Sequence, residues 1–223
     1  MEISLEEFSE RLRGGARAIL LLRHAERPKM DPDDPTFGDA LKLTAEGSRT
    51  SLELGRRLAE FKRAVQFYAS PLTRTRMTAA MVAEGMGLEE PEIPTDELLG
   101  NGTFYYADPA EVLDVFRPEN FFAACFEYYR TGELRGFHNL YKASDEWEKW
   151  LFERFREKLF VVTTHDCYIA AFLSARKAIA EFTRENWIRF LDGGAIFVYP
   201  DGRREYALVR TGLSTGICGV AVK

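Results

Sequence analysis

Two histidines, a set of arginines and one carboxylate carry the chemistry open to this 223-residue chain. Arg23-His24, the stretch Ser70 to Arg76 and the pair His165-Asp166 lie far apart in sequence, yet each directly follows a short apolar run. Ligands of open α/β sheets bind outside the carboxyl ends of the strands, so the three segments are expected to converge. Guanidinium forks match oxyanions, and a neutral imidazole is a competent nucleophile toward phosphorus. Arginines beside it disfavour the imidazolium form. The set therefore predicts phosphoryl chemistry on a small phosphomonoester. His24 is the nucleophile, while Arg23, Arg74 and a protonated His165 stabilise the charge on the equatorial oxygens. Asp166, next to His165, is the expected proton donor to the leaving oxygen, with Glu97 as the competing acid. Two imidazoles and a carboxylate could also suggest zinc, but arginines repel a cation, and no metal or other cofactor is expected.

The elements that must position these groups are legible as patterns. Ala18 to Leu22, Val65 to Ala69 and Leu159 to Thr164 are continuous apolar runs suited to strands buried on both faces. An amphipathic helix is predicted over Leu5 to Arg13. Thr44 caps a second helix running to about Lys62, and Ser70-Pro71 opens a third with serine as its cap. A helix from Tyr168 to Ile179 follows the second histidine. An edge strand is expected within Pro91 to Pro94, and Ala195 to Arg210 reads as a closing hairpin around Asp201-Gly202. Strands alternating with helices predict a three-layer α/β/α sandwich with a mostly parallel sheet.

The stretch 101–150 holds 13 of the chain's 29 aromatic residues and is read as a helical cap inserted into a single domain spanning 1–223. Substrate selection is assigned to it, with Tyr105, Tyr106, Phe121, Phe122 and His138 as candidates. Thirty Lys and Arg against 35 Asp and Glu give a net charge of −5, which makes nucleic acid an unsuitable partner. The start Met1 to Glu7 is acidic where a secretory signal is basic, and no apolar run approaches the roughly 20 residues that cross a bilayer. A cytoplasmic protein without membrane contact is expected. Cys125, Cys167 and Cys218 are an odd number without paired spacing and are read as free thiols.

At this point the motifs form an ordered set. Arg23-His24-Ala25 resembles the Arg-His-Gly signature of the histidine phosphatase superfamily, also called phosphoglycerate mutase-like. Leu43-Thr44-Ala45-Glu46-Gly47, Ser70-Pro71-Leu72-Thr73-Arg74-Thr75 and Thr164-His165-Asp166 are similar to that family's later motifs, in order. The resemblance implies a three-layer fold, a phosphohistidine on His24, and phosphate held by Arg23, Arg27, Arg74 and His165. Two departures stand out. Leu98-Leu99-Gly100 lacks the Leu-x-Glu acid of the mutase-like branch, while Arg23-His24-Ala25-Glu26-Arg27-Pro28 and His165-Asp166 resemble the acid-phosphatase branch. The alternatives are a phosphomutase using the same phosphohistidine, and a non-catalytic phospholigand-binding protein on the same fold.

Overall fold

A computed structural model of the chain describes residues 1–30, 38–100, 103–117, 119–213 and 216. The strands are β1 (Glu2–Ser4), β2 (Arg17–Arg23), β3 (Val65–Ala69), β4 (Leu159–Thr164), β5 (Gly193–Val198) and β6 (Arg204–Arg210). They form one sheet in the order β1-β6-β5-β2-β4-β3. β1 runs parallel to β6, β2 to β4 and β3 to β4, whereas β5 is antiparallel to both of its neighbours. The sheet is thus mixed. β2 and β4 sit at its centre because their residues are apolar on both faces, and all of β4 is buried.

Alternation along β2 divides the core. Ala18, Leu20 and Leu22 face α1 (Leu5–Arg13), α2 (Ala45–Leu58) and α3 (Thr73–Gly85), while Ile19 and Leu21 face the aromatic side. That second side carries α4 (Pro109–Val115), α5 (Phe121–Thr131), α6 (Leu140–Arg154) and α7 (Asp166–Ala175). Helices on both faces of a sheet give the α/β sandwich expected of the sequence. Tyr105, Tyr128 and Trp147 are almost wholly buried and belong to the core of this side. No described helix is long and apolar enough to cross a membrane.

Several boundaries differ from the sequence patterns. The helix opened by Thr44 stops at Leu58 and tightens into a 3₁₀ segment, Ala59–Ala64. Between Pro91 and Pro94 there is no strand; one bridge, Ala69 to Thr95, is all that pairs there. The last helix starts at Asp166 and ends at Ala175, ahead of the expected Ile179. Ser70 is not a helix cap. α3 begins at Thr73 with Leu72 before it, and the Ser70 hydroxyl is used elsewhere. Cys125 and Cys167 are free, and Cys218 lies outside the described residues.

Candidate active site

Pairing of β2 with β4 sets Arg23 beside Thr164, so the residues that follow both strands emerge together at the sheet's carboxyl edge. His24 donates its backbone N–H to Thr164 O at 3.1 Å. The His24 and His165 rings meet edge to face with centroids 5.5 Å apart. His24 Nδ1 lies 2.9 Å from Ala25 O. A carbonyl oxygen only accepts, so Nδ1 carries the proton and Nε2 keeps its lone pair. That is the tautomer a nucleophile needs.

His24 and His165 are both buried, and both are pushed well below the usual imidazole range. Burial is the largest cause in each case. Arg74 is the next, joined by His165 and Arg23 for His24 and by Arg23 and Arg27 for His165. The expectation of a neutral His24 is met, with dehydration outranking the arginines. His165 is likewise held well below the usual imidazole range, by burial first and then by Arg74, Arg23 and Arg27. Each imidazole titrates at higher pH in the unfolded chain, so the unfolded state binds more protons below about pH 6.5. Stability should therefore fall as pH drops from there toward the lowered folded values. The slope is about 1.4 kcal/mol per pH unit for each ring, and urea unfolding at stepped pH measures it. A flat profile between pH 6.5 and 5 would contradict two buried neutral imidazoles.

Arg74 is 6% exposed, while its neighbour Arg76 is exposed. Helix register thus turns Arg74 inward and Arg76 outward. It donates through Nη1 to Gly38 O at 2.7 Å. Burial first, and then Arg27, lower its pKa to about 10, which leaves it charged at neutral pH. Arg27 donates to Pro28 O at 2.8 Å and acts electrostatically on both Arg74 and His165, so it joins the cluster. The Nε atoms of Arg23 and Arg74 are buried without a hydrogen-bond partner among the described residues.

Ser70 shows where its hydroxyl went. Its Oγ lies 2.7 Å from Thr75 Oγ1 and 3.2 Å from His165 Nε2. Thr75 Oγ1 donates to backbone carbonyls of Ser70 and Leu72 at 2.9 and 2.7 Å. With the threonine proton committed, Ser70 donates to Thr75 and accepts from His165 Nε2. The relay holds the His165 ring in one tautomer.

Glu26 hooks the amino end of α2. Its backbone oxygen accepts Thr44 N–H at 3.0 Å, and its Oε1 accepts the Thr44 hydroxyl at 3.0 Å. Gly47 allows this approach, since a Cβ there would stand 2.2 Å from Glu26 O. Gly47→Ala must push α2 off the Arg23 to Arg27 turn. The expected cost is about 1 to 3 kcal/mol of stability, typical of overpacking. Thermal unfolding measures it, and an unchanged Tm would show that the helix end yields freely.

The family model of the histidine phosphatase superfamily (branch 1) matches residues 19–190. The chain belongs to the histidine phosphatase superfamily. No curated protein matches it by sequence. Among solved structures, a mycobacterial glucosyl-3-phosphoglycerate phosphatase superposes with a TM-score of 0.59 at 14% identity, covering 88% of this chain and 99% of that one. YhfR of Bacillus stearothermophilus gives 0.58 at 16% identity, with the same coverage. A phosphoglycerate mutase from Bacillus anthracis gives 0.54 at 12%, covering 86% and 91%. At such identities these neighbours establish the phosphoglycerate mutase-like fold.

Within the histidine phosphatase superfamily the match is to branch 1, although Arg27-Pro28 and His165-Asp166 pointed to the acid-phosphatase branch. Ala25 replaces the signature glycine without strain, because it is not among the residues with positive φ. The two candidate acids differ in setting. Glu97 is exposed on a 3₁₀ turn, Glu97–Leu99, whose Leu99 O accepts the Thr164 hydroxyl at 2.7 Å. The Asp166 carboxylate instead lies 3.1 Å from Arg23 Nη2.

Of the candidate selectivity residues, Tyr106 is linked to His165 through Tyr168, which donates to its hydroxyl at 3.1 Å and packs edge-on to His165 at 5.6 Å. Tyr105 is buried in the core. His138 is exposed, and its backbone oxygen accepts the Tyr128 hydroxyl at 2.8 Å. Phe121 and Phe122 pack on Trp187. Sequence patterns missed Trp187 and Phe190. Both lie between α7 and β5, outside any regular element, where no periodicity marks them.

Proposed function

We propose that the chain is a phosphomonoester hydrolase that works without a metal, through a phosphohistidine on His24 Nε2. The observation that carries this is a neutral His24, with Nδ1 pinned to Ala25 O, set against His165 among Arg23, Arg27 and Arg74. In-line attack by Nε2 forms the N–P bond as the P–O bond to the leaving oxygen breaks. The arginines take up charge on the three equatorial oxygens. Water then attacks phosphorus on the phosphohistidine, releasing phosphate and returning Nε2 to its lone pair. The cluster of guanidinium groups opposes a bound cation, which supports a metal-free route. Tyr168 against His165 and Phe190 against His24 are the aromatic rings beside the two histidines, and Tyr168 hydrogen-bonds to Tyr106 of the proposed cap at about 100–150.

Turnover of a generic aryl phosphate in EDTA tests the proposal. Rapid alkaline quench should trap an acid-labile, base-stable phosphoprotein. Loss of activity in EDTA would overturn the mechanism, and phosphate binding without turnover across many phosphomonoesters would make the chain a binding module. Transfer of label between positions of one substrate, faster than to water, would identify a mutase. Tyr106→Phe is expected to change the ratio of kcat/KM between bulky and small phosphomonoesters while leaving phosphate affinity intact. Equal effects on all substrates would assign Tyr106 to packing alone.

A further inference from the structure

The Asp166 carboxylate is held from two sides. Its Oδ2, 3.1 Å from Arg23 Nη2, also accepts a hydrogen bond of 2.8 Å from Trp187 Nε1, while Oδ1 accepts Cys167 N–H at 3.0 Å. Arg23 is 1% exposed. Its Nη1 donates to Ile188 O at 2.5 Å, and its guanidinium lies over the Phe190 ring at 4.3 Å. The aim of Arg23 is therefore set by Asp166 and by the segment 187–190.

Trp187 is wholly buried, and its ring is caged. Phe122 lies 5.1 Å away, Phe126 and Phe182 5.9 Å, and Tyr129 stacks on it at 6.3 Å. Phe122, Phe126 and Tyr129 belong to α5. A ring packed this way cannot follow a drifting carboxylate, so its N–H is a fixed reference point for Asp166.

We propose that Trp187 is a positioning residue for phosphate binding, its indole N–H fixing the Asp166 carboxylate that aims Arg23 beside His24. The inference rests on the reading of Arg23 as a phosphate ligand. It also gives Asp166 a role other than the expected proton donation. Both carboxylate oxygens accept hydrogen bonds, an arrangement that holds the group in place to orient a guanidinium. Partners one step behind a ligand group commonly matter by about 10- to 100-fold, as the outer shells of metal sites show. Here α5 becomes the buttress of the phosphate site.

The test compares Trp187→Phe, which removes the N–H and leaves an aromatic ring in the cage, with Asp166→Asn and the double variant. Affinity for inorganic phosphate, read by calorimetry on the folded variant, should fall about 10-fold or more in Trp187→Phe, while Tm falls by the modest amount a smaller buried ring brings. Turnover of aryl and alkyl phosphates should fall by the same factor, because a misaimed Arg23 is indifferent to the leaving group. The double variant should be no weaker than Asp166→Asn, since the two residues act in series. Unchanged phosphate affinity in Trp187→Phe, or losses that multiply in the double variant, overturn the proposal. So does a loss in Asp166→Asn confined to alkyl phosphates, which would make Asp166 the general acid. If Trp187→Phe does not fold, Asp166→Asn carries the test by the same leaving-group comparison. An unsubstituted protein that neither binds phosphate nor hydrolyses aryl phosphate would instead sink the phosphatase reading, and this inference with it.

Discussion

His24→Ala is expected to lower turnover of an aryl phosphate by on the order of 10⁴- to 10⁶-fold, the scale seen when a covalent nucleophile is removed. The neutral ring with its Nδ1–H on Ala25 O offers Nε2 for the N–P bond, and nothing in alanine replaces it. Arginine binding and charge stabilisation survive the substitution, so a residual rate above that in water should remain. Phosphate affinity should change far less than turnover. The decisive measurement is the alkaline-quench trap: labelled phosphoprotein from the unsubstituted chain and none from His24→Ala. Retained turnover together with retained phosphoprotein would move the nucleophile elsewhere, with His165 the next ring to try.

The second large effect is expected at Arg74. Removing a preorganised donor to the transition-state oxyanion costs about 10²- to 10³-fold in rate, so Arg74→Ala should fall by that amount. The same variant has a distinct pH signature. After burial, Arg74 is the largest influence holding the His24 imidazole below its usual range. Without it His24 takes up a proton more readily, and protonated His24 is no nucleophile. The acid limb of the kcat/KM profile should therefore move to higher pH in Arg74→Ala. Arg74→Lys should restore the position of that limb better than it restores rate, because an ammonium supplies charge without the planar fork. A rate loss with an unmoved acid limb would place Arg74 too far from His24 for the proposed electrostatics.

Central strands and site residues were legible in the sequence for one physical reason. β2 and β4 are buried on both faces, so their apolar runs are unbroken, and the polar residue that ends each run marks the ligand edge of the sheet. β1 was invisible because Glu2-Ile3-Ser4 buries a single residue, Ile3, and three residues cannot display a period. Ser70 misled because a serine before Pro71 has the form of a helix cap; its hydroxyl instead joins Thr75 and His165, contacts that no local pattern encodes. Trp187 escaped for the same reason. Its indole meets a carboxylate on another element, and only the tertiary fold brings the two within 2.8 Å.

The pairing of β1 with β6 has a consequence for how the chain is made. Glu2 lies beside Leu208 and Ser4 beside Arg210, so β1 is synthesised long before β6, the strand it pairs with. β2 waits as well, for β4 on one side and β5 on the other. Few of the sheet's hydrogen bonds can form during most of synthesis, and such non-local pairings close slowly. The apolar run from Ala18 to Leu22 stays exposed meanwhile, a segment open to mispairing between nascent chains. Slowed translation ahead of β4 should thus lower the yield of soluble protein, whereas slowed translation after β6 should leave it unchanged.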